Sequence, residues 1–148
     1  MTQSWHIRPA TPQDADALGA CMESAYAAYR DRLGGVRLPP MDADYAAEID
    51  HYPTWVVEST GAICGGLVMA FEAHRAAIAN IAVAPKWQGQ GIGGALMRHA
   101  ESTARAYGFT ELQLATHVLL RENLALYRHL GWVETRCDET RVFMKKRL

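Results

Sequence analysis

Apolar positions change their spacing along this chain, and each change marks an element. Ala17, Leu18, Cys21, Met22, Ala25 and Tyr26 recur at helical intervals. They follow Thr11-Pro12-Gln13-Asp14, a run that offers an N-cap, a proline at the first helical position and an acidic first turn. This helix should stop near Leu33-Gly34-Gly35. Residues 5–8 read as a first strand, residues 37–44 with Pro39-Pro40 as a loop, and residues 45–49 as a short helix. Residues 54–58 and 62–70 predict two strands around Ser59-Thr60-Gly61, a hairpin signal, and a further strand covers 76–83. Ile92, Ala95, Leu96, His99, Ala100, Thr103, Ala104 and Tyr107 then predict a long amphipathic helix ended by Gly108. Residues 110–116 read as a strand, 122–130 as a helix stopped by Gly131, and strands near 132–135 and 142–146 close the chain. The pattern predicts the α/β class: one domain over residues 1–148, a sandwich with a mixed, mostly antiparallel sheet flanked by helices, in the order βααββββαβαββ.

Composition narrows the function classes. With 148 residues, 49% of them apolar and 21% charged, the chain suits one domain with a real core. A net charge of −1 gives no bulk electrostatic case for nucleic acid or an anionic membrane. No apolar run reaches the roughly 20 residues of a bilayer span, and the first residues lack a signal-peptide pattern. Cys21, Cys64 and Cys137 are widely spaced and odd in number, so they read as reduced thiols and point to the cytoplasm. The six histidines show no ligand spacing with cysteines or carboxylates, and no metal is expected.

The chemistry concentrates where the strand at 76–83 meets the long helix. There the chain reads Gln88-Gly89-Gln90-Gly91-Ile92-Gly93-Gly94. The first amides of a helix have no intrahelical acceptor, and together with the positive end of the helix dipole they favour an anion. Glycines reach positive φ and remove the Cβ that would hold a phosphate away. The run is not a Walker loop, since no Gly-Lys-Ser or Gly-Lys-Thr follows, and it lacks the dinucleotide spacing G-x-G-x-x-G.

With the preceding Asn80-Ile81-Ala82-Val83 strand and Ala84-Pro85 bend, it resembles the Q/R-x-x-G-x-G/A signature of the GNAT superfamily of acetyl-CoA-dependent N-acetyltransferases. The segment 122–132, ending Leu126-Tyr127-Arg128-His129-Leu130-Gly131-Trp132, looks like the closing motif of the same family. The element order also matches, so the likeness covers nearly the whole chain and implies a GNAT-like sandwich. It implies acetyl-CoA as acyl donor and a small-molecule or peptide amine as acceptor, with no nucleic acid or membrane partner. Oligomeric state is open, a homodimer included.

The resemblance assigns roles residue by residue. The backbone of Ile81, Ala82 and Val83 would pair with the pantetheine arm as an added strand. The Val83 N–H would stabilise the oxyanion. Gly89, Gln90, Gly91, Ile92, Gly93 and Gly94 would wrap the pyrophosphate while Gln88 shapes the turn. Tyr127 would protonate the departing thiolate, a role its phenol, with a pKa ordinarily about 10, can fill chemically; packing as a core aromatic is the other reading. The family often has its coenzyme-contacting asparagine where this chain has Leu120. Asn123 stands instead where a small residue is usual, and either contacts the pantetheine arm or serves the start of a helix.

The base and the acceptor are less defined. Relatives carry a glutamate where this chain has Ala77 or Ala115, leaving His117 first among candidates, then Glu72, His74, Asp44 and Glu48. Asp42 to Asp50 is locally acidic and would suit a cationic amine, whereas Arg30, Arg32 and Arg37 could hold a carboxylate. An acetyl-CoA sensor without turnover, or an interaction module with a decayed site, are the readings from other classes.

Overall fold

The computed structural model describes residues 4–148. One sheet of seven strands runs in the order β1-β2-β3-β4-β5-β7-β6. Its members are β1 (His6–Pro9), β2 (Thr54–Ser59), β3 (Ala62–Glu72), β4 (Arg75–Val83), β5 (Glu111–His117), β6 (Val133–Cys137) and β7 (Arg141–Arg147). Every pairing is antiparallel except β4 with β5. The helices are α1 (Ala15–Ala27), α2 (Pro39–Asp42), α3 (Tyr45–His51), α4 (Ile92–Ala106) and α5 (Arg121–His129).

Two details depart from the sequence expectation. Three strands lie between the early helices and α4, matching the ranges 54–58, 62–70 and 76–83, so the fourth strand that the expected order placed there has no counterpart. The segment expected as a loop contains the one-turn helix α2, started by Pro39 and Pro40. Prolines suit the first turn, where their missing N–H has no acceptor in any case.

Helices cover both faces of the sheet. On one face α4 buries Ile92, Leu96, Met97, Ala100 and Ala104 against Val57, Leu67, Met69, Leu112 and Leu114. On the other, Leu18 and Met22 of α1 meet Tyr45, Val56 and Val68. Each of the larger apolar side chains stabilises the fold by about 1.5–3 kcal/mol. Gly65 and Gly66 of β3 allow both layers to come close. A Cβ on Gly66 would lie 2.4 Å from Leu18 Cδ1, and one on Gly65 would lie 3.3 Å from Ile92 Cγ2. Adjacent strand residues point to opposite faces, so one dipeptide serves both helices.

The start of the chain is tied down by charge. Arg8 donates to Asp14 through Nη1 at 2.8 Å and Nη2 at 2.9 Å, and it also pairs with Glu58. The Thr11 amide donates to the same Asp14 carboxylate at 2.7 Å. Arg8 and these donors hold the Asp14 carboxyl down at about 2.

The junction of β4 and β5 shapes the site. On the β3 side, the register shifts between Val68 and Met69, so that Asn80 and Ile78 have partners and Ala79 has none. Such a bulge bends the strand that carries it. On the β5 side, only Ala77 with Gln113 forms a registered pair. Beyond it the two parallel strands diverge, and the second half of β4 has an open edge.

Candidate active site

Strand alternation decides which groups line that open edge. The Ala84 amide donates to the Cys64 carbonyl at 2.9 Å, which turns Ala84 toward β3, and Ala82 with it. Ile81 and Val83 therefore direct their N–H and C=O groups away from β3, into the gap left by β5. Two side chains already reach these carbonyls. The Tyr26 hydroxyl donates to Ile81 O at 3.4 Å, and Gln88 Nε2 donates to Val83 O at 3.2 Å. Residues 81–83 are consequently half-buried.

The glycine run follows the bend. Pro85–Trp87 makes a tight helical turn that buries Trp87, and Gly89 and Gly91 take left-handed φ values of 81° and 84°. Gly91 is the N-cap of α4, and its carbonyl accepts from the Ala95 amide at 3.1 Å. The amides of Ile92, Gly93 and Gly94 have no acceptor among the described residues. A Cβ on Gly89 or Gly91 would meet nothing within 4 Å, so conformation rather than room demands glycine there. Arg98 Nη1 lies close to Gly94, 3.2 Å from where a Cβ would be. Gln90 keeps its Oε1 buried and unpartnered. Free amides at a helix start, an open strand edge and left-handed glycines fit an extended carrier that ends in a diphosphate.

A cavity of about 330 Å³ joins these parts, with Val83, Gln88, Gly91 and Gly93 on its wall and Tyr127 opposite. A second cavity of about 500 Å³ fills the gap between the diverging strands. Tyr26, Ile81, Asn123 and Tyr127 border both. Tyr127 is only 8% exposed, packed in the α4-side core with its ring 6.3 Å from that of Trp132. Its hydroxyl has no hydrogen-bond partner among the described residues. Burial, then the neighbouring phenols of Tyr26 and Tyr29, raises its pKa well above the usual phenol value. Burial and Tyr29 likewise push Tyr26 up to about 12. Asn123 lies one turn before Tyr127 on α5 and shares its outlook on both cavities. Leu120 is buried with Leu33 and Leu38, so that position serves packing.

The candidate bases separate cleanly. His117 ends β5 on the wall of the second cavity, and its Nδ1 accepts from the Leu119 amide at 3.1 Å. A neutral ring held this way carries its proton on Nε2. Glu72 and His74 are exposed at the β3–β4 turn, the far end of β4 from Val83. Asp44 caps α3 through the Ala47 amide at 3.2 Å, and Asp42 binds Arg37. None of these four borders either cavity, nor does Glu48. Ala115 does, and it has no titratable group to offer. Arg141, at the start of β7, borders the second cavity as well. The sequence reading did not single it out, because nothing local ties it to α1 or β4.

Comparison with known proteins gives the same frame. A family model described as the Acetyltransferase (GNAT) family matches residues 21–132. An uncharacterized N-acetyltransferase of Escherichia coli K12, YjgM, is 30% identical over 138 residues, covering 88% of this chain and 83% of that protein. Among solved structures, the PaiA N-acetyltransferase of Thermoplasma acidophilum in complex with coenzyme A superposes with a TM-score of 0.85 at 16% identity. It covers 98% of this chain and 99% of its own. Nourseothricin acetyltransferase superposes at 0.76 with 22% identity, over 97% of this chain and 98% of its own. Among the described residues no helix is long and apolar enough to cross a membrane. The glycine-headed helix beside an open strand edge thus sits within a matched family domain, and the chain belongs to the GNAT acetyltransferases, enzymes that take their acyl group from acetyl-CoA.

Proposed function

We propose that this chain transfers the acetyl group of acetyl-CoA to a primary amine by direct attack on the thioester, with Tyr127 as the acid for the leaving sulfur. The observation that carries the reading is the unpartnered Tyr127 hydroxyl at the meeting of the two cavities. Acetyl-CoA supplies an activated acyl carbon and a thiolate leaving group. The amides of residues 89–94 bind its diphosphate, and the open edge at Ile81 to Val83 pairs with its amide-bearing arm. The amine enters through the second cavity and bonds to the acyl carbon. The Val83 N–H hydrogen-bonds the carbonyl oxygen as it gains charge, a contribution of about 10²–10³ in rate for one well-placed donor. As the carbon–sulfur bond breaks, Tyr127 passes its proton to sulfur and recovers one from solvent. Asn123 contacts the arm from the α5 side.

His117 is the proposed acceptor for the amine's proton, in a ring orientation that releases Nδ1 from the Leu119 amide. An amine that arrives neutral still sheds one N–H proton once its bond to the acyl carbon has formed, and that proton passes to His117 or to water. A turnover screen of acetyl-CoA with an amine panel, following free thiol, tests transfer. Thiol release with none of the amines would reject the proposed function.

A further inference from the structure

The second cavity has a chemical character that its sequence segments, taken singly, conceal. Resting on the transferase reading above, we infer that the acceptor is an amine that also bears a carboxylate, held by Arg37 and Arg141 on a largely apolar body. Both arginines border the cavity. Each is fixed by acidic groups that do not. Arg37 Nε donates to both oxygens of Asp42, at 2.8 and 3.0 Å, and its Nη2 donates to Glu23 at 3.1 Å. Arg141 Nε and Nη2 donate to Asp138 Oδ2 at 3.3 and 3.2 Å, and its guanidinium lies 4.9 Å from the Phe143 ring centroid. In both groups Nη1 has no partner among the described residues. Two planar forks are thus held in place, each with a free donor, and a carboxylate is the acceptor such donors match.

No aspartate or glutamate borders this cavity. A polyamine or aminoglycoside would find no counter-charge inside it. Of the acidic stretch from Asp42 to Asp50, Asp42 is spent on Arg37 and Asp44 on capping α3, and none of its carboxylates borders the cavity. Apolar surface comes from Ile78, Leu114, Leu120, Leu38 and Pro39, and about 500 Å³ admits an amino acid or a short peptide. Recognition acts at contact, through the free Nη1 donors, rather than at a distance, because three carboxylates outnumber the two arginines.

The test compares leucine, methionine and phenylalanine with their amides and methyl esters, and with spermidine, as acceptors. Free acids should exceed their amides by about tenfold or more in kcat/KM, the size expected of one charge-assisted contact. Arg37→Gln and Arg141→Gln, each checked for folding by thermal unfolding, should shrink that ratio toward one, through KM for the acids. Amides, esters or spermidine that react as well as the acids would overturn the inference while leaving the transferase reading intact. If acetyl-CoA raises the melting temperature yet none of these amines is acetylated, the acceptor inference falls. If acetyl-CoA produces no thermal shift at all, the transferase reading falls with it.

Discussion

Tyr127→Phe removes one oxygen from the place where the two cavities join, and the structure separates its effect on rate from its effect on fold. The phenol ring packs against the core beside Trp132, and phenylalanine keeps that packing. The hydroxyl gives up no hydrogen bond to the protein when it leaves, since it has none among the described residues. Stability should therefore change by less than about 1 kcal/mol. The rate is a different matter. A positioned general acid contributes about 10²–10⁴, or about 2.7–5.4 kcal/mol at 1.36 kcal/mol per decade. A loss near the low end is expected, because a thiolate leaves more readily than an alkoxide. The variant should then show kcat reduced by about 10²–10³ in a thiol-release assay, with acetyl-CoA affinity within about twofold of the parent by calorimetry. Because burial raises the Tyr127 pKa, the acid stays loaded, and kcat should show no falling limb from this group up to about pH 9. Rates within threefold of the parent at unchanged affinity would refute the assignment of Tyr127.

Three further outcomes follow from the geometry. Gly91→Glu should fold, with a left-handed φ of 84° costing about 1–2 kcal/mol, yet lose the roughly 2.7 kcal/mol of stabilisation that the parent gains at a hundredfold Kd of acetyl-CoA; a retained thermal shift would remove the loop from diphosphate binding. Gly66→Ala should lower the urea-unfolding free energy by about 1–3 kcal/mol, because its methyl would meet Leu18 Cδ1 at 2.4 Å and the leucine must move. An unchanged midpoint would show slack between α1 and β3. Asp14 has a folded pKa of about 2, below its ordinary value, so its contribution is fully present above about pH 4 and is lost as pH falls toward 2. Asp14→Asn should lower stability at pH 7 by about 1–2 kcal/mol and flatten the pH dependence between 4 and 2, measured by urea titration at each pH. An equally steep acid limb in the variant would assign it to other carboxylates.

The elements were legible because period and punctuation agreed. Gly108 and Gly131 end α4 and α5 with positive φ, and the Thr60-Gly61 turn closes the β2–β3 hairpin. The glycine run likewise announced a helix start with free amides, a property of local backbone alone. What stayed hidden depends on contacts distant in sequence. The bulge at Ala79 has no glycine or proline to announce it, yet it bends β4 at the mouth of the site. Tyr26 and Tyr127 are 101 residues apart and meet only because α1 and α5 flank the same gap. Arg141 gained its place through β7 pairing with β5, where it stands opposite His117. The histidine's reach as a base could not be read from sequence either, since the Leu119 amide two residues on holds one ring nitrogen.

The single registered pair between β4 and β5 makes the sheet two stiff panels with a seam. Amide hydrogens along that seam, at Ile81 and Val83, have no carbonyl across the gap among the described residues and should trade rapidly for deuterium in the protein without acyl donor. If the donor's arm pairs with this edge as proposed, it would supply the missing ladder, and the two panels would be held together on its arrival. On that proposal, the endurance of this chain against heat and proteases should rise with the concentration of its own acyl donor.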